Sequence, residues 1–242
     1  MPVPRFYLDL PLALGARFNL PPGPARHAAR ALRLVPGSAV TLFDGNGGEY
    51  AACIERIHRD EVAISITGFR AVERESKLQI LLAQGISSGE RMDYTLQKAV
   101  ELGVAAIQPI AARRSVVKLS SERADRRVAH WQGVVASACE QSGRNHLPPV
   151  APPQPLANWL GMRAPGRLLF LSPEASTRLA DLPPPAGMDS LVAGPEGGFE
   201  DDEITALHVA GAIPVRLGAR ILRTETAALA ALAAMQTLWG DF

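Results

Sequence analysis

The chain is poor in cysteine and has no long uninterrupted apolar run. Its 242 residues include two cysteines, Cys53 and Cys139, which cannot form a disulfide framework and show no metal-ligand spacing. No stretch approaches the roughly 18 consecutive apolar residues of a membrane-spanning helix. The first ten residues lack the basic-then-apolar layout of a signal peptide. We therefore expect reduced thiols, no bound metal, no membrane contact and a cytoplasmic location.

The chain also carries almost no net charge, because 25 Lys and Arg residues stand against 24 Asp and Glu residues. This balance by itself indicates no polyanionic partner. The charge is uneven, however: five arginines in the first 40 residues face one acidic residue, Asp9. Hydrophobic residues make up 47% of the chain, which is ordinary for a globular protein and excludes a disordered one.

The first 70 or so residues show the pattern of short strands and turns. Two apolar runs flank the turn DGNGGE, and Glu61–Phe69 alternates between apolar and polar positions as a half-buried strand does. Before them, RHAARALRLVPG predicts a short helix that buries Ala28, Leu32 and Val35 on one face. We expect a small closed β-barrel over residues 1–72.

From residue 76 onward, apolar strands alternate with helices, which predicts a parallel sheet covered on both faces. The predicted strands are 78–84, 105–110, 168–171, 191–193 and 213–217. The predicted helices are 92–102, 121–142, 201–209 and 224–239. The charged stretch ERESK marks a linker. We therefore expect a second domain, of the α/β class, over residues 76–242.

One possible function is that of an α/β-hydrolase. GISSG, from Gly85 to Gly89, fits the nucleophile-elbow pattern GxSxG with Ser87 at its centre, and it follows a predicted strand and precedes a predicted helix. Against this interpretation, the elbow would follow a separate barrel instead of several strands of its own sheet. The sequence also contains no HGGG-type oxyanion loop.

A glycine-rich turn, GPEGGF, spans Gly194 to Phe199 between a predicted strand and a predicted helix. Loops at the carboxyl ends of parallel strands are where α/β proteins bind ligands. Four acidic residues follow at 200–203, and neither GxxxxGK[ST] nor GxGxxG is present, which disfavours a phosphate-binding loop. The turn fits either a close-approach loop for an uncharged or cationic ligand or a plain connection from strand to helix.

A second segment, LGARILRTETA, runs from Leu217 to Ala227. In it, Thr224 can cap the last helix, with Glu225 in the first turn of that helix. The apolar connector Ile221-Leu222 lies between two arginines. Taken alone, this segment fits a buried loop with solvated arginines as well as it fits a binding site.

Together, GPEGGF and LGARILRTETA closely resemble the SPOUT methyltransferases, and within them the bacterial family that methylates the uracil ring nitrogen N3 in 16S ribosomal RNA. RHAARALRLVPG is similar to the N-terminal signature of that family, KAVELGVAAIQPI to its middle signature and WQGVVASACEQSGR to its long helix. The resemblance therefore extends across nearly the whole chain. The chain departs from the family pattern at Ala219 and in GISSGERMD, where relatives more often have a lysine-rich turn.

The resemblance implies an α/β domain with a trefoil knot, preceded by a small PUA-like β-barrel that binds RNA. The knot would bring three loops around S-adenosylmethionine, whose chemistry needs no metal, and glycines would let the backbone approach it closely. The implied cofactor-binding residues are Leu171, Ser172, Gly194, Pro195, Glu196, Gly197, Gly198, Phe199, Leu217, Gly218, Ile221, Leu222 and Arg223.

The resemblance also implies a catalytic requirement. N3 of uracil carries a proton that must leave, so a general base or a cation that stabilises the enolate is expected. Arg223 and Glu196 are the first candidates, and Arg144 and Glu140 are the second. An Arg–Glu pair could equally serve only to hold the loops. SPOUT sites resemble clefts shared by two subunits, so a homodimer is implied, in which the partner subunit could supply the base.

The implied RNA partner is 16S rRNA, in the small ribosomal subunit. The candidate phosphate contacts are Arg5, His27, Arg30, Arg33, Arg113 and Arg114, with Lys118 beside the last two. Each of them could also be an ordinary solvated surface residue. Two further hypotheses are a SPOUT enzyme that acts on another RNA and an RNA-binding module without catalysis, which would require degenerate cofactor loops.

Overall fold

The computed structural model describes residues 3–115 and 121–242. Contacts divide the chain into two compact units. The first comprises Met1–Glu75 and Cys139–Leu147, and the second comprises Ser76–Ala138 and Pro148–Phe242. Lys118 lies outside the described residues. No helix within the two described ranges is both long enough and apolar enough to cross a membrane.

The first unit is built on a five-stranded sheet in the order β1-β3-β4-β5-β2. The strands are β1 (Arg5–Tyr7), β2 (Arg17–Asn19), β3 (Ala39–Phe43), β4 (Glu49–His58) and β5 (Glu61–Arg70). β1 pairs with β3 in parallel, and the other pairs are antiparallel. Alternate apolar side chains such as Ile54, Val62 and Ile64 fill the core. β1 and β2 stand at opposite ends of this order, so closure into a barrel stays a prediction.

A short helix, α1 (Pro22–Arg26), continues into a π-helical turn, His27–Ala31. The expectation that Leu32 and Val35 lie on a buried helix face is wrong, because they are 41% and 61% exposed. The helical segment ends before them, and Arg33 adopts a positive φ of 51°, so the helical periodicity does not continue through these residues.

The second unit contains a five-stranded sheet in the order β10-β8-β9-β6-β7, in which all neighbours are parallel. Its strands are β6 (Ile80–Gly85), β7 (Ala106–Ile110), β8 (Leu168–Leu171), β9 (Asp189–Ala193) and β10 (Ile213–Val215). Every residue of the central strand β9 is buried, as expected for a parallel strand covered on both faces. The predicted α/β class with a parallel sheet is confirmed.

Helices flank this sheet. They are α2 (Gly89–Glu101), α3 (Ser121–Ser142), α4 (Leu156–Met162), α5 (Asp201–Val209) and α6 (Thr224–Trp239), with a 3-10 turn at Leu179–Asp181. α4 and α5 pack together on a core cluster that contains Trp159, Leu207 and Phe170. α2 packs against α6, which also contacts β9 and the 3-10 turn. The last four residues of α3 belong to the first unit.

Candidate active site

The candidate active site lies in the second unit, where the carboxyl ends of its parallel strands meet at one edge of the sheet. The loops that follow β8, β9 and β10, together with the first turn of α6, line a cavity of about 690 Å³. Every predicted cofactor-binding residue except Gly197 lines this cavity. The structure therefore brings together three segments that are far apart in the sequence.

Glycine is required where β6 touches the glycine-rich loop, residues 194–199. A Cβ atom built on Gly85, the last residue of β6, would lie 2.4 Å from the backbone nitrogen of Pro195. Gly198 and Gly218 adopt left-handed conformations, with φ of 70° and 111°. The sequence offered Gly85 only as part of a serine motif, and its packing role could not be read from that motif.

Thr224 connects three segments at the site: β6, the glycine-rich loop and α6. Its hydroxyl donates a hydrogen bond to the carbonyl oxygen of Gly194 at 2.5 Å and accepts one from the side-chain amide of Gln84 at 3.0 Å. The expected side-chain cap of α6 is absent, and Arg223 occupies the N-cap position. The hydroxyl of Thr224 therefore holds the glycine-rich loop instead of the helix backbone. Gln84 is fully buried in β6 and was not predicted as a site residue.

Glu196 projects from the glycine-rich loop and is anchored at one oxygen. Its Oε1 accepts hydrogen bonds from the backbone N–H of Ser88 at 2.9 Å and from Arg91 at 3.2 Å. Its Oε2 is buried and has no hydrogen-bond partner among the described residues. Burial opposes ionisation, but hydrogen bonding by the N–H of Ser88 foremost, by the N–H of Glu196 itself, by the Ser88 side chain and by Arg91 outweighs it and holds the pKa of Glu196 below its usual range. Glu196 is therefore an anion at neutral pH.

Arg91 also lines the cavity, and sequence reasoning did not identify it. The signal lies in GISSGERMD, which runs from the end of β6 into α2 and in which the chain departs from a lysine-rich turn. Because Arg91 and Glu196 are 105 positions apart, no local pattern indicates that they meet.

Ser87 does not form a catalytic triad in the part of the chain that the structure describes. It is 2% exposed, and its Oγ has no hydrogen-bond partner there. His130 instead contacts Asp93, with 2.8 Å between ring nitrogen and carboxylate oxygen. Among the residues that the structure describes, none is placed as a base for a serine nucleophile, so the geometry does not support the hydrolase alternative.

Arg144 and Glu140 belong to the first unit and do not line the cavity. Arg144 is 5% exposed and donates from its Nε to Glu75 at 3.0 Å. Glu140 accepts a hydrogen bond from the backbone N–H of Tyr7 at 2.9 Å. Burial raises the pKa of Glu140, although the N–H of Tyr7 opposes this shift. Both side chains serve the first unit structurally, and their catalytic roles stay predictions.

The predicted RNA contacts fall into different settings. Arg5 is mostly buried, and its guanidinium donates to Glu49 at 2.5 Å and to Asn145 at 2.7 Å, which indicates a structural role. The exposed members of the first unit are His27, Arg30 and Arg33. Of these, Arg30 forms a two-point ion pair with Asp60.

Arg113 and Arg114, in the second unit, are engaged by the acidic turn that follows the glycine-rich loop. Arg113 forms ion pairs with Asp202 and Glu200. Arg114 donates to the carbonyl oxygen of Gly197 at 3.3 Å. A Cβ atom on Gly197 would lie 2.9 Å from that of Arg114, so this glycine serves loop packing. No three His, Cys, Asp or Glu side chains cluster as a metal site within the described ranges.

Comparisons with known proteins match both parts of the chain. Residues 74–236 match the RNA methyltransferase domain model, and residues 25–67 match the RNA methyltransferase PUA domain model. Ribosomal RNA small subunit methyltransferase E from Buchnera aphidicola subsp. Schizaphis graminum is 31% identical over 240 residues, which cover 99% of this chain and 98% of the relative. The chain therefore aligns with this relative over almost the full length of both.

Two solved structures are similar over the whole chain. A methyltransferase from Legionella pneumophila, in complex with S-adenosylmethionine, has a TM-score of 0.97 and 38% identity and covers 100% of both chains. Ribosomal RNA small subunit methyltransferase E from Neisseria gonorrhoeae, bound to the same compound, has a TM-score of 0.92 and 45% identity and covers 99% of both chains. Since sequence and fold agree from end to end, the chain belongs to the ribosomal RNA small subunit methyltransferase E family.

Proposed function

We propose that this protein transfers the methyl group of S-adenosylmethionine to the ring nitrogen N3 of a specific uridine in 16S rRNA, with the assembled small subunit as substrate. The cavity in the second unit carries the proposal, because nearly all residues implied in cofactor binding line it. The similarity to two structures solved with S-adenosylmethionine supports the choice of methyl donor. A cytoplasmic location follows from the proposed substrate.

The residues of the cavity fit this donor. A volume of about 690 Å³ lies within the usual range of small-molecule sites. The side chains of Leu171, Ile221 and Leu222 supply apolar walls, and the glycine-rich loop supplies close backbone groups that an adenine ring can pair with. The unpartnered oxygen of Glu196 supplies negative charge for a cationic ligand. When bound, S-adenosylmethionine supplies an electrophilic methyl group on a positively charged sulfur.

The protein must bind the target uridine and stabilise the negative charge that forms on its base. Loss of the N3 proton leaves negative charge on the uracil oxygens, and Arg223 lines the cavity as an exposed cation that can stabilise this charge. Glu196 is anchored as a fixed anion, which suits a cationic donor. Arg144 and Glu140 remain second candidates, and a catalytic role would interrupt hydrogen bonds that each now makes.

The proposal includes a trefoil knot in the second unit and a closed barrel in the first. Two backbone hydrogen bonds support the knot. The N–H of Ser172 donates to the carbonyl oxygen of Val215 at 3.0 Å, and the N–H of Arg216 donates to the carbonyl oxygen of Thr177 at 2.9 Å. The chain after β10 thus runs against the loop after β8. α6, which follows, packs against α2 and also against the 3-10 turn of that same loop. A segment held on two sides in this way fits a threaded chain, which is rare among folds.

We also propose a homodimer. Ile221 is 85% exposed at the cavity loop, and Leu238 is 43% exposed near the end of α6. Apolar side chains this exposed on a methyltransferase unit fit burial against a second copy. Light scattering coupled to gel filtration tests this, with a monomer mass as the contradicting result.

Titration calorimetry with S-adenosylmethionine is the first test, and saturable binding is expected. The second test incubates the protein with small subunits that lack the modification and with naked 16S rRNA, each with isotopically labelled donor. Mass spectrometry of the digested RNA should find label as N3-methyluridine, in the subunits and not in naked RNA. Label at another atom or in another RNA would favour a different SPOUT specificity, and RNA binding without transfer would favour a non-catalytic module.

A further inference from the structure

A second carboxylate lines the cavity besides Glu196. Glu225 lies in the first turn of α6, and its Oε2 is buried without a hydrogen-bond partner among the described residues. Most buried polar atoms in proteins have a partner, so an unpartnered carboxylate oxygen in a side chain that lines the cavity indicates a role toward a ligand. Sequence reasoning treated Glu225 only as a residue that favours the start of a helix.

The two carboxylates differ in their surroundings. One oxygen of Glu196 is bound by the N–H of Ser88 and by Arg91, and its pKa is held below the usual range. Glu225 forms no ion pair with any described residue. A carboxylate stabilised by a cation and an N–H donor is a weak proton acceptor, so Glu196 is poorly suited to be the base. Glu225 is the other carboxylate on the cavity wall that has a buried oxygen without a partner among the described residues.

The backbone of Glu225 is also held in place. The neighbouring Thr224 bonds both the carbonyl oxygen of Gly194 and the side chain of Gln84. This fixes the start of α6 against the glycine-rich loop, where Glu196 lies two residues after Gly194. A catalytic group gains from such fixed placement, because little reorganisation is needed at the moment of reaction.

We propose that Glu225 is the catalytic base that removes the N3 proton of the target uridine, an inference that rests on the proposed function. The N3–H bond breaks, and the proton moves to a carboxylate oxygen of Glu225. The electron pair left on N3 forms the new bond to the methyl carbon. The sulfur–carbon bond breaks, and its electron pair stays on sulfur, which becomes a neutral thioether. The proton then leaves Glu225 for solvent, and the carboxylate is restored.

The other charged groups on the cavity wall are consistent with Glu225 as the base and an arginine as the group that stabilises the uracil anion. Four arginines line it, namely Arg91, Arg216, Arg220 and Arg223, and the remaining acidic groups are Glu174, Glu196 and Asp201. Arg91 is bound to Glu196, whereas Arg216, Arg220 and Arg223 are exposed. An exposed arginine can stabilise the uracil anion that forms once Glu225 has taken the proton.

The test compares Glu225→Gln with Glu90→Gln. Glu90 is an exposed acidic residue in the first turn of α2 and does not line the cavity. The control substitution therefore removes the same charge at the same kind of helix position. Calorimetry measures the affinity for S-adenosylmethionine, filter binding measures the affinity for small subunits, and rapid quench measures single-turnover transfer. For Glu225→Gln we expect both affinities to be retained and transfer to fall by about 100-fold or more. Glu90→Gln should match the wild type in all three.

A modified substrate distinguishes loss of a base from other defects. Subunits reconstituted with 16S rRNA that contains 5-fluorouridine present a more acidic N3–H, which needs less help to leave. This substrate should accelerate Glu225→Gln relative to its rate on normal subunits, while the wild type shows no gain. Loss of donor affinity in Glu225→Gln, or absence of any acceleration, would overturn the assignment.

The failure of this inference can be told apart from the failure of the proposed function. If the wild type forms N3-methyluridine and Glu225→Gln does so equally fast, the inference fails while the proposed function stands. If the wild type forms no N3-methyluridine, the proposed function itself fails.

Discussion

Thr224 donates a hydrogen bond from its hydroxyl to the carbonyl oxygen of Gly194, with 2.5 Å between the two oxygens. The two residues are 30 positions apart, one at the start of α6 and the other at the start of the glycine-rich loop. Because Gln84 donates to the same hydroxyl, one side chain links β6, the loop after β9 and the last helix. The Thr224 hydroxyl therefore ties the glycine-rich loop both to β6 and to the start of α6.

Replacing Thr224 by Val keeps the shape of the side chain and removes the hydroxyl. The carbonyl oxygen of Gly194 then loses its donor and the buried amide of Gln84 loses an acceptor, and we expect the free energy of unfolding to fall by about 1–3 kcal/mol. Affinity for S-adenosylmethionine should fall as well, because the glycine-rich loop loses its anchor to α6 and β6. Denaturant unfolding and calorimetry measure the two effects. Thr226→Val, at an exposed position on the same helix, should change neither, and equal behaviour of both variants would contradict the anchor role.

Gly85→Ala tests the close approach of β6 to the glycine-rich loop. The added Cβ would lie 2.4 Å from the nitrogen of Pro195 and 2.8 Å from the carbonyl carbon of Gly194, so the loop must move. We expect donor affinity to fall at least about tenfold, or about 1.4 kcal/mol. Gly161→Ala is the control, because nothing lies within 4 Å of its Cβ position. Unchanged donor affinity in Gly85→Ala would show that the glycine-rich loop can move aside without weakening donor binding.

The ion pairs of Glu49 predict that the first unit loses stability in acid. It is 2% exposed and forms ion pairs with Arg5 at 2.5 Å, Arg70 at 2.7 Å and Arg74 at 3.3 Å. Burial opposes its ionisation, but these arginines, Arg5 foremost, outweigh burial and lower the pKa of Glu49. Its stabilising contribution is therefore complete above the unfolded pKa of a glutamate, about 4.3, and is lost as the pH falls through the lower folded value.

The measurement for this prediction is the free energy of unfolding as a function of pH. Glu49→Gln should cost about 3–5 kcal/mol at neutral pH, because the mostly buried Arg5 is left without its carboxylate partner. The variant should also show a shallower loss of stability in acid than the wild type. Glu61→Gln, which removes an exposed carboxylate of the same unit, should leave the curve nearly unchanged. If the free energies of unfolding of the wild type and of Glu49→Gln fall equally steeply as the pH is lowered, the prediction is contradicted.

Arg30→Glu combined with Arg33→Glu tests the RNA-binding role of the first unit. Both arginines are exposed, and Arg33 holds a left-handed backbone conformation that is uncommon for a residue other than glycine. We expect weaker binding to small subunits, with the salt dependence of log K reduced by about 0.7 for each lost phosphate contact. Donor affinity should not change. Arg17→Glu is the control on an exposed strand of the same unit, and an equal effect there would indicate a general charge effect only.

Much of the secondary structure could be predicted from the sequence, because it depends on local periodicity. The helices Ser121–Ser142, Asp201–Val209 and Thr224–Trp239 have the predicted bounds. The prediction failed after Ala31, where a π-helical turn and the left-handed Arg33 interrupt a pattern that continues in the sequence. Periodicity reports which residues can share a face, and it cannot report where backbone geometry stops the helix.

The sequence by itself determined the glycine-rich loop, the segment before the last helix and the resemblance that names the family, since these are contiguous patterns. Only the tertiary structure decided which polar side chains meet at the cavity and behind its walls. Arg91 reaches Glu196 across 105 positions, and Gln84 reaches Thr224 across 140. It also placed Arg144 and Glu140 in the first unit. The physical reason is that a hydrogen bond depends on distance in space, and the parallel sheet brings together strand ends that are remote along the chain.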